Sequence, residues 1–165
     1  MRIEQLDERH DVATFDSDVK ALDQWLRNHG LEDQKRNQSR VFVLASDYNE
    51  VIAYYSLTMG GVRRTSLPRS YGRGLPPIEI GMVLIGRLAV ALSHQGKGIG
   101  RDILTDALKR SVYAGTSAAA RFIAVDPIDE TAGAFYRHFG FRNIAGDSHG
   151  RMYISIATIK DTLNW

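Results

Sequence analysis

Gln95-Gly96-Lys97-Gly98-Ile99-Gly100-Arg101 is the stretch around which the chain is organised. It follows an apolar run, Met82 to Leu92, with the composition of a central strand. It opens a second run, Ile99 to Ala114, in which Ile99, Ile103, Leu104, Ala107, Leu108 and Val112 share one helical face. Strand, glycine-rich turn and helix start make an anion site. The first N–H groups of a helix lack internal partners, and the helix dipole adds positive potential there. Glycine lets the backbone reach positive φ and come close to a ligand. Lys97 and Arg101 bring formal charge to the same place. The spacing is neither GxxxxGK[ST] nor GxGxxG, so an ordinary P-loop and a dinucleotide fingerprint are both disfavoured.

Outward from this turn, the bulk numbers describe a soluble globular chain. Its 165 residues are 44% apolar and 24% charged, which points to one domain, 1–165, with a core of its own. No apolar run is long enough to span a bilayer, and the acidic start lacks a signal-peptide core, so no membrane association is expected. There is no cysteine, which excludes disulfides, thiolate nucleophiles and Cys-ligated metal and suits a reducing cytoplasm. The histidines His10, His29, His94, His138 and His149 show no ligand spacing, and metal is not expected. No GxSxG elbow is present. The net charge of +2 is unevenly spread: residues 1–33 carry −5, residues 34–121 carry +8 and residues 122–165 carry −1. A basic middle between acidic ends fits an anionic partner, or a mixed solvated surface.

The rest of the chain sorts into alternating elements. Arg2 to Leu6 reads as a short strand. Asp16-Ser17 is N-cap chemistry before a helix with Val19, Leu22, Trp25 and Leu26 on one face, broken at Gly30 and followed by a short helix from Leu31 to Asn37. Arg40 to Ala45 and Val51 to Leu57 read as a hairpin around Asp47-Tyr48-Asn49-Glu50. Residues 60–77 hold Gly60, Gly61, Gly72, Gly74, Pro68, Pro76 and Pro77 with Arg63, Arg64, Arg69 and Arg73 and no acid. That segment reads as a loop, functional or merely a solvated connector. Gly115 reads as the C-cap of the helix after the turn. Phe122 to Val125 is a buried strand stopped by Asp126-Pro127. A helix runs from Asp129 or Thr131 to about His138 and ends at Gly140. Phe141 with Met152 to Ile156 closes a hairpin, and Ile156 to Leu163 adds a last helix. The order predicts an α/β fold with a mixed central sheet and flanking helices.

Two segments together resemble the GNAT superfamily of N-acetyltransferases. Arg87-Leu88-Ala89-Val90 followed by Gln95-Gly96-Lys97-Gly98-Ile99-Gly100 looks like its cofactor motif, R/Q-x-x-G-x-G/A after a central strand. Asp129-Glu130-Thr131-Ala132-Gly133-Ala134-Phe135-Tyr136-Arg137-His138-Phe139-Gly140-Phe141 is similar to its late helix, N/D-x-x-A-x-x-F-Y-x-x-x-G-F. The resemblance implies the GNAT fold, with a splayed strand pair, and acetyl-CoA as cofactor. The pyrophosphate would sit on Gln95–Arg101, including Gly96, Lys97, Gly98, Ile99 and Gly100. The pantetheine would run along Leu88, Ala89 and Val90, past Asp126, Asp129 and Phe135. A narrower resemblance covers nearly the whole chain. Phe15-Asp16-Ser17, Leu22-Asp23-Gln24-Trp25-Leu26, Gln34, Ser39-Arg40-Val41-Phe42-Val43, Tyr54-Tyr55-Ser56-Leu57, Ile85-Gly86-Arg87-Leu88-Ala89-Val90 and Val125-Asp126 are similar to the GNAT toxins of bacterial toxin–antitoxin pairs. Ser17-Asp18 and Pro127-Ile128 depart from the commoner family residues. That likeness implies acetylation of the α-amino group of an aminoacyl-tRNA. It also implies a ribbon-helix-helix antitoxin as partner, DNA reached only through it, and a homodimer.

Within that frame Tyr136 is the candidate general acid, protonated at neutral pH and suited to the CoA thiolate. Backbone N–H groups near Leu88–Val90 are the candidate oxyanion donors. Glu79 and His94 are weak base candidates. An α-amino group beside an ester is largely neutral at physiological pH and has little need of a base. Lys35, Arg36, Arg40, Arg63, Arg64, Arg69, Arg73 and Arg87 are the candidate tRNA contacts. Arg87, flanked by apolar residues, equally suits a buried ion pair. A GNAT acting on a small amine or a protein N-terminus is the alternative, and it leaves the arginine segment without a role; a non-catalytic acyl-CoA sensor or interaction module is the third, and Tyr136 in the motif argues against it.

Overall fold

Seven strands form one mixed sheet in the order β1-β2-β3-β4-β5-β7-β6. They are β1 Arg2–Gln5, β2 Arg40–Ala45, β3 Val51–Arg63, β4 Glu79–Val90, β5 Phe122–Val125, β6 Arg142–Asn143 and β7 Met152–Ser155. Among the described residues six α-helices accompany them: α1 Lys20–Trp25, α2 Leu31–Lys35, α3 Arg69–Gly72, α4 Ile99–Ser117, α5 Glu130–His138 and α6 Ile156–Leu163. This is a computed structural model, and it describes residues 1–74, 78–144 and 150–165. Pro76 and Pro77 of the arginine-rich segment, and His149, lie outside the described residues. None of the described helices is long and apolar enough to cross a membrane. The chain divides into two compact units, Met1–Thr58 with Gly86–Ala107, and Met59–Ile85 with Leu108–Trp165.

In the first unit β1 pairs antiparallel with β2 from Arg2↔Ala45 to Gln5↔Phe42, and β2 pairs antiparallel with β3 from Arg40↔Leu57 to Ala45↔Val51. Leu6, Phe15, Trp25, Leu26, Val41, Val43, Tyr54, Ala89 and Ala91 make its core. Gly30 does not break the first helix, as the sequence suggested. The chain stays helical through a π turn, Leu26–Gly30, and enters α2 directly. Gly30 has ordinary helical angles, φ −55° and ψ −55°, and a Cβ there would meet Leu26 and Leu6 at 3.4 Å.

In the second unit β4 and β5 are parallel, Met82↔Phe122 to Ile85↔Val125, and β7 pairs antiparallel with β5 and β6. Val62, Ile80, Met82, Phe122, Ala124, Ile144 and Tyr153 fill its core. Two expectations are corrected here. β3 runs six residues past Leu57 to Arg63, so Gly60 and Gly61 are strand residues. A Cβ on Gly60 would come within 2.9 Å of Met82 Cε, and one on Gly61 within 3.3 Å of Glu79 Oε2. A 3-10 turn, Arg64–Ser66, and the short α3 occupy much of what read as loop. Gly115 is likewise interior to α4, which continues to Ser117. Its missing side chain admits Ile156 Cδ1, 3.0 Å from where a Cβ would stand.

Candidate functional site

The turn before α4 has the form that its glycines imply. Gly96 and Gly98 take φ +76° and φ +81°, and nothing lies within 4 Å of a Cβ built on either. The backbone is therefore open to a ligand at both positions. Asp102 N–H donates to Gly98 O at 3.2 Å, so the N–H groups of Ile99, Gly100 and Arg101 have no intrahelical acceptor. Lys97 and Arg101 are exposed beside them. Open glycines, free helix N–H groups and two cations fit a diphosphate. Gln95 serves differently. Its carboxamide nitrogen donates to Val90 O at 2.9 Å and to Ser17 O at 3.0 Å, and its own N–H donates to Leu92 O. The side chain thus holds the turn to the end of β4. Leu88 and Val90 are half-buried, while Ala89 belongs to the core.

In the second unit α5 carries Tyr136. Asp129 caps the helix: its Oδ1 accepts the Ala132 N–H at 2.8 Å. Glu130 pairs with Arg137 along the exposed face. Tyr136 is 7% exposed, its ring edge-on to Phe135 at 5.3 Å and to Phe141 at 5.6 Å. Burial, and then the charge of Asp126, push its pKa well above the ordinary tyrosine value. Its hydroxyl makes no hydrogen bond among the described residues, and none of the fully enclosed side-chain N or O atoms lacks a partner. The oxygen therefore keeps access to solvent while its ring does not. Asp126 follows β5, and Arg151 grips its carboxylate through Nε at 2.7 Å and Nη2 at 2.9 Å. That bond raises the Arg151 pKa. Arg151 escaped the sequence reading, for 25 residues separate it from its partner.

The candidate base residues gain no catalytic geometry. His94 ends a 3-10 turn with Nδ1 2.9 Å from Ser93 Oγ, and Glu79 is the exposed first residue of β4. The eight candidate cations separate into groups. Lys35 pairs with Glu8 at 3.0 Å and Arg36 with Glu32 at 3.2 Å. Arg40 reaches Asn37 and the Gln34 carbonyl. Arg64, Arg69 and Arg73 line one pocket with Gly74, and Arg63 ends β3 nearby in sequence. Arg87 lies over the Trp25 ring, 4.0 Å from its centroid. The buried ion pair that suited Arg87 from sequence does not exist among the described residues.

The description of the GNAT acetyltransferase domain matches residues 37–143. The tRNA-acetylating toxin of Mycobacterium tuberculosis is 36% identical over 138 residues, 83% of this chain and 81% of that protein. A solved structure of AtaT complexed with acetyl-methionyl-tRNAfMet superposes with a TM-score of 0.91 at 26% identity, covering 98% of each chain. A crystal structure of AtaTR bound with AcCoA superposes at 0.87, also 26% identical, covering 98% of this chain and 97% of that one.

Proposed function

This chain is a member of the GNAT acetyltransferase family, and from that premise we propose that it is a toxin which transfers acetyl from acetyl-CoA to the α-amino group of aminoacyl-tRNA and so inhibits translation. Likeness to the mycobacterial tRNA-acetylating toxin carries the choice of acceptor. Residues 1–165 act as one acetyltransferase domain in this reading.

Acetyl-CoA, when bound, supplies a thioester carbonyl for the amine and a thiolate that leaves. The chain supplies the rest. Backbone N–H groups of Gly98, Ile99, Gly100 and Arg101, with the Lys97 and Arg101 side chains, hold the pyrophosphate. Gln95 keeps that turn in shape through its two carbonyl contacts. Leu88, Ala89 and Val90 line the pantetheine and offer N–H groups to the oxyanion. Phe135 supports the Tyr136 ring, and Asp126 and Asp129 flank the cofactor arm. Tyr136 holds its proton at neutral pH because burial opposes the phenolate, and it gives that proton to the thiolate. No side-chain base is assigned.

Lys35, Arg36, Arg40, Arg63, Arg64, Arg69, Arg73 and Arg87 meet the tRNA backbone. The toxin works in the cytoplasm as a homodimer. A ribbon-helix-helix antitoxin neutralises it, and DNA is contacted only through that antitoxin. Incubation with acetyl-CoA and total aminoacyl-tRNA tests the reading: N-acetyl-aminoacyl-tRNA is the expected product. Acetylation of free amines with every charged tRNA left untouched overturns it.

A further inference from the structure

Arg87 shares a face of β4 with the core residue Ala89, which is why its side chain meets Trp25. Trp25 is 8% exposed and stacks on Tyr54, centroids 6.1 Å apart and planes 15° apart. The guanidinium is half-buried, and burial lowers its pKa. Among the described residues nothing accepts a hydrogen bond from it and no carboxylate pairs with it. Its neighbours are already committed. The Asp23 carboxylate takes the Ser17 N–H and hydroxyl at 2.6 to 3.1 Å. Tyr54 gives its hydroxyl proton to the Leu22 carbonyl at 2.7 Å. Asp33 acts on Arg87 only through space.

A desolvated cation without an acceptor is costly. The indole face removes one side of the group from water and fixes its plane. Its five N–H donors remain in a rigid fork that matches two oxygens of a phosphate. The surface cations Lys35 and Arg36 differ, since each has an acid of this chain beside it. We propose that Arg87, seated on Trp25, is an oxyanion-binding residue that takes a phosphodiester of the acceptor RNA. The assignment rests on the RNA-acceptor reading above and selects one member of the basic set as its anchor. A phosphate of CoA has the same chemistry, and the experiment separates the two sources.

The chain has two tryptophans, so Trp165→Phe leaves Trp25 as the reporter. In that background Trp25 fluorescence is titrated with uncharged bulk tRNA, with CoA and with dephospho-CoA, for Arg87, Arg87→Gln and Arg87→Lys, across a salt series. Arg87→Gln should weaken tRNA binding about tenfold and reduce the slope of log affinity against log salt by about one. Arg87→Lys, which keeps charge without the fork, should lose less affinity and keep the slope. CoA affinity should not change. Unaltered tRNA affinity and slope in Arg87→Gln overturns the proposal. So does a selective loss of CoA over dephospho-CoA, which assigns Arg87 to the cofactor. If Arg87→Gln melts early, Arg87→Lys decides: unchanged tRNA affinity there overturns the proposal, and a severalfold loss supports it. Transfer to charged tRNA is assayed in parallel. Arg87-dependent tRNA binding without transfer sinks the acceptor reaction and leaves the anion site. Transfer without Arg87 dependence sinks the site alone.

Discussion

The cluster of Trp25, Tyr54 and Arg87 and the cluster of Asp126, Tyr136 and Arg151 are built from similar parts with opposite results. Each holds a buried tyrosine whose pKa burial raises. Each holds a half-buried arginine. In the first, the tyrosine is satisfied by the Leu22 carbonyl and the arginine has no acceptor among the described residues. In the second, the arginine is satisfied by Asp126 and the tyrosine hydroxyl has no partner among the described residues. Burial and the direction of the pKa shift are alike for the two phenols, so neither tells them apart. What separates them is which polar group the chain leaves for something else to bind.

Exchanging the two tyrosines for phenylalanine breaks the comparison most sharply. Tyr136→Phe should lower kcat by about 10²–10⁴-fold. It should leave thermal stability almost unchanged, because no internal hydrogen bond is lost; single-turnover acetylation and calorimetry read the two halves. Tyr54→Phe should do the reverse. It removes a bond to the Leu22 carbonyl and should cost about 1 kcal/mol in urea unfolding, with kcat kept.

Asp126→Asn sharpens the second cluster. The Asp126 charge helps keep the Tyr136 proton on. Without it the tyrosine pKa falls, so the alkaline loss of kcat should begin at lower pH than in the parent. The stability cost should stay below about 1 kcal/mol, since both partners are partly exposed. The smallest effect is in stability at high pH. Both phenols are raised in the folded state, so their contribution is complete below the free tyrosine value of about 10 and declines above it. Tyr54→Phe and Tyr136→Phe should each flatten that decline in pH-dependent unfolding.

The fold was legible where pattern and function coincide. The Gln95–Gly100 spacing located the turn because the glycines must be there for the backbone to open, and the Asp129 cap preceded its helix as its residue type required. Glycine misled where it serves packing. Gly30 and Gly115 read as helix ends, yet both lie inside continuous helix, Gly30 where Leu6 and Gly115 where Ile156 comes against it. Gly60 and Gly61 read as loop for the same reason. Local propensity cannot see a neighbour that arrives from elsewhere in the chain. The clusters share this limit. Tyr136 was visible in its motif, whereas the donor to Asp126 and the seat of Arg87 depend on residues 25 and 62 positions away.

The Gln95 carboxamide has one more consequence. By joining Ser17 to the turn that precedes α4, it ties the entry to the first helix to the turn proposed to take the diphosphate. Coupling of that kind is reciprocal. A ligand bound at that turn should slow amide exchange around Ser17, and a contact that orders the Ser17 segment should favour binding at the turn by the same free energy.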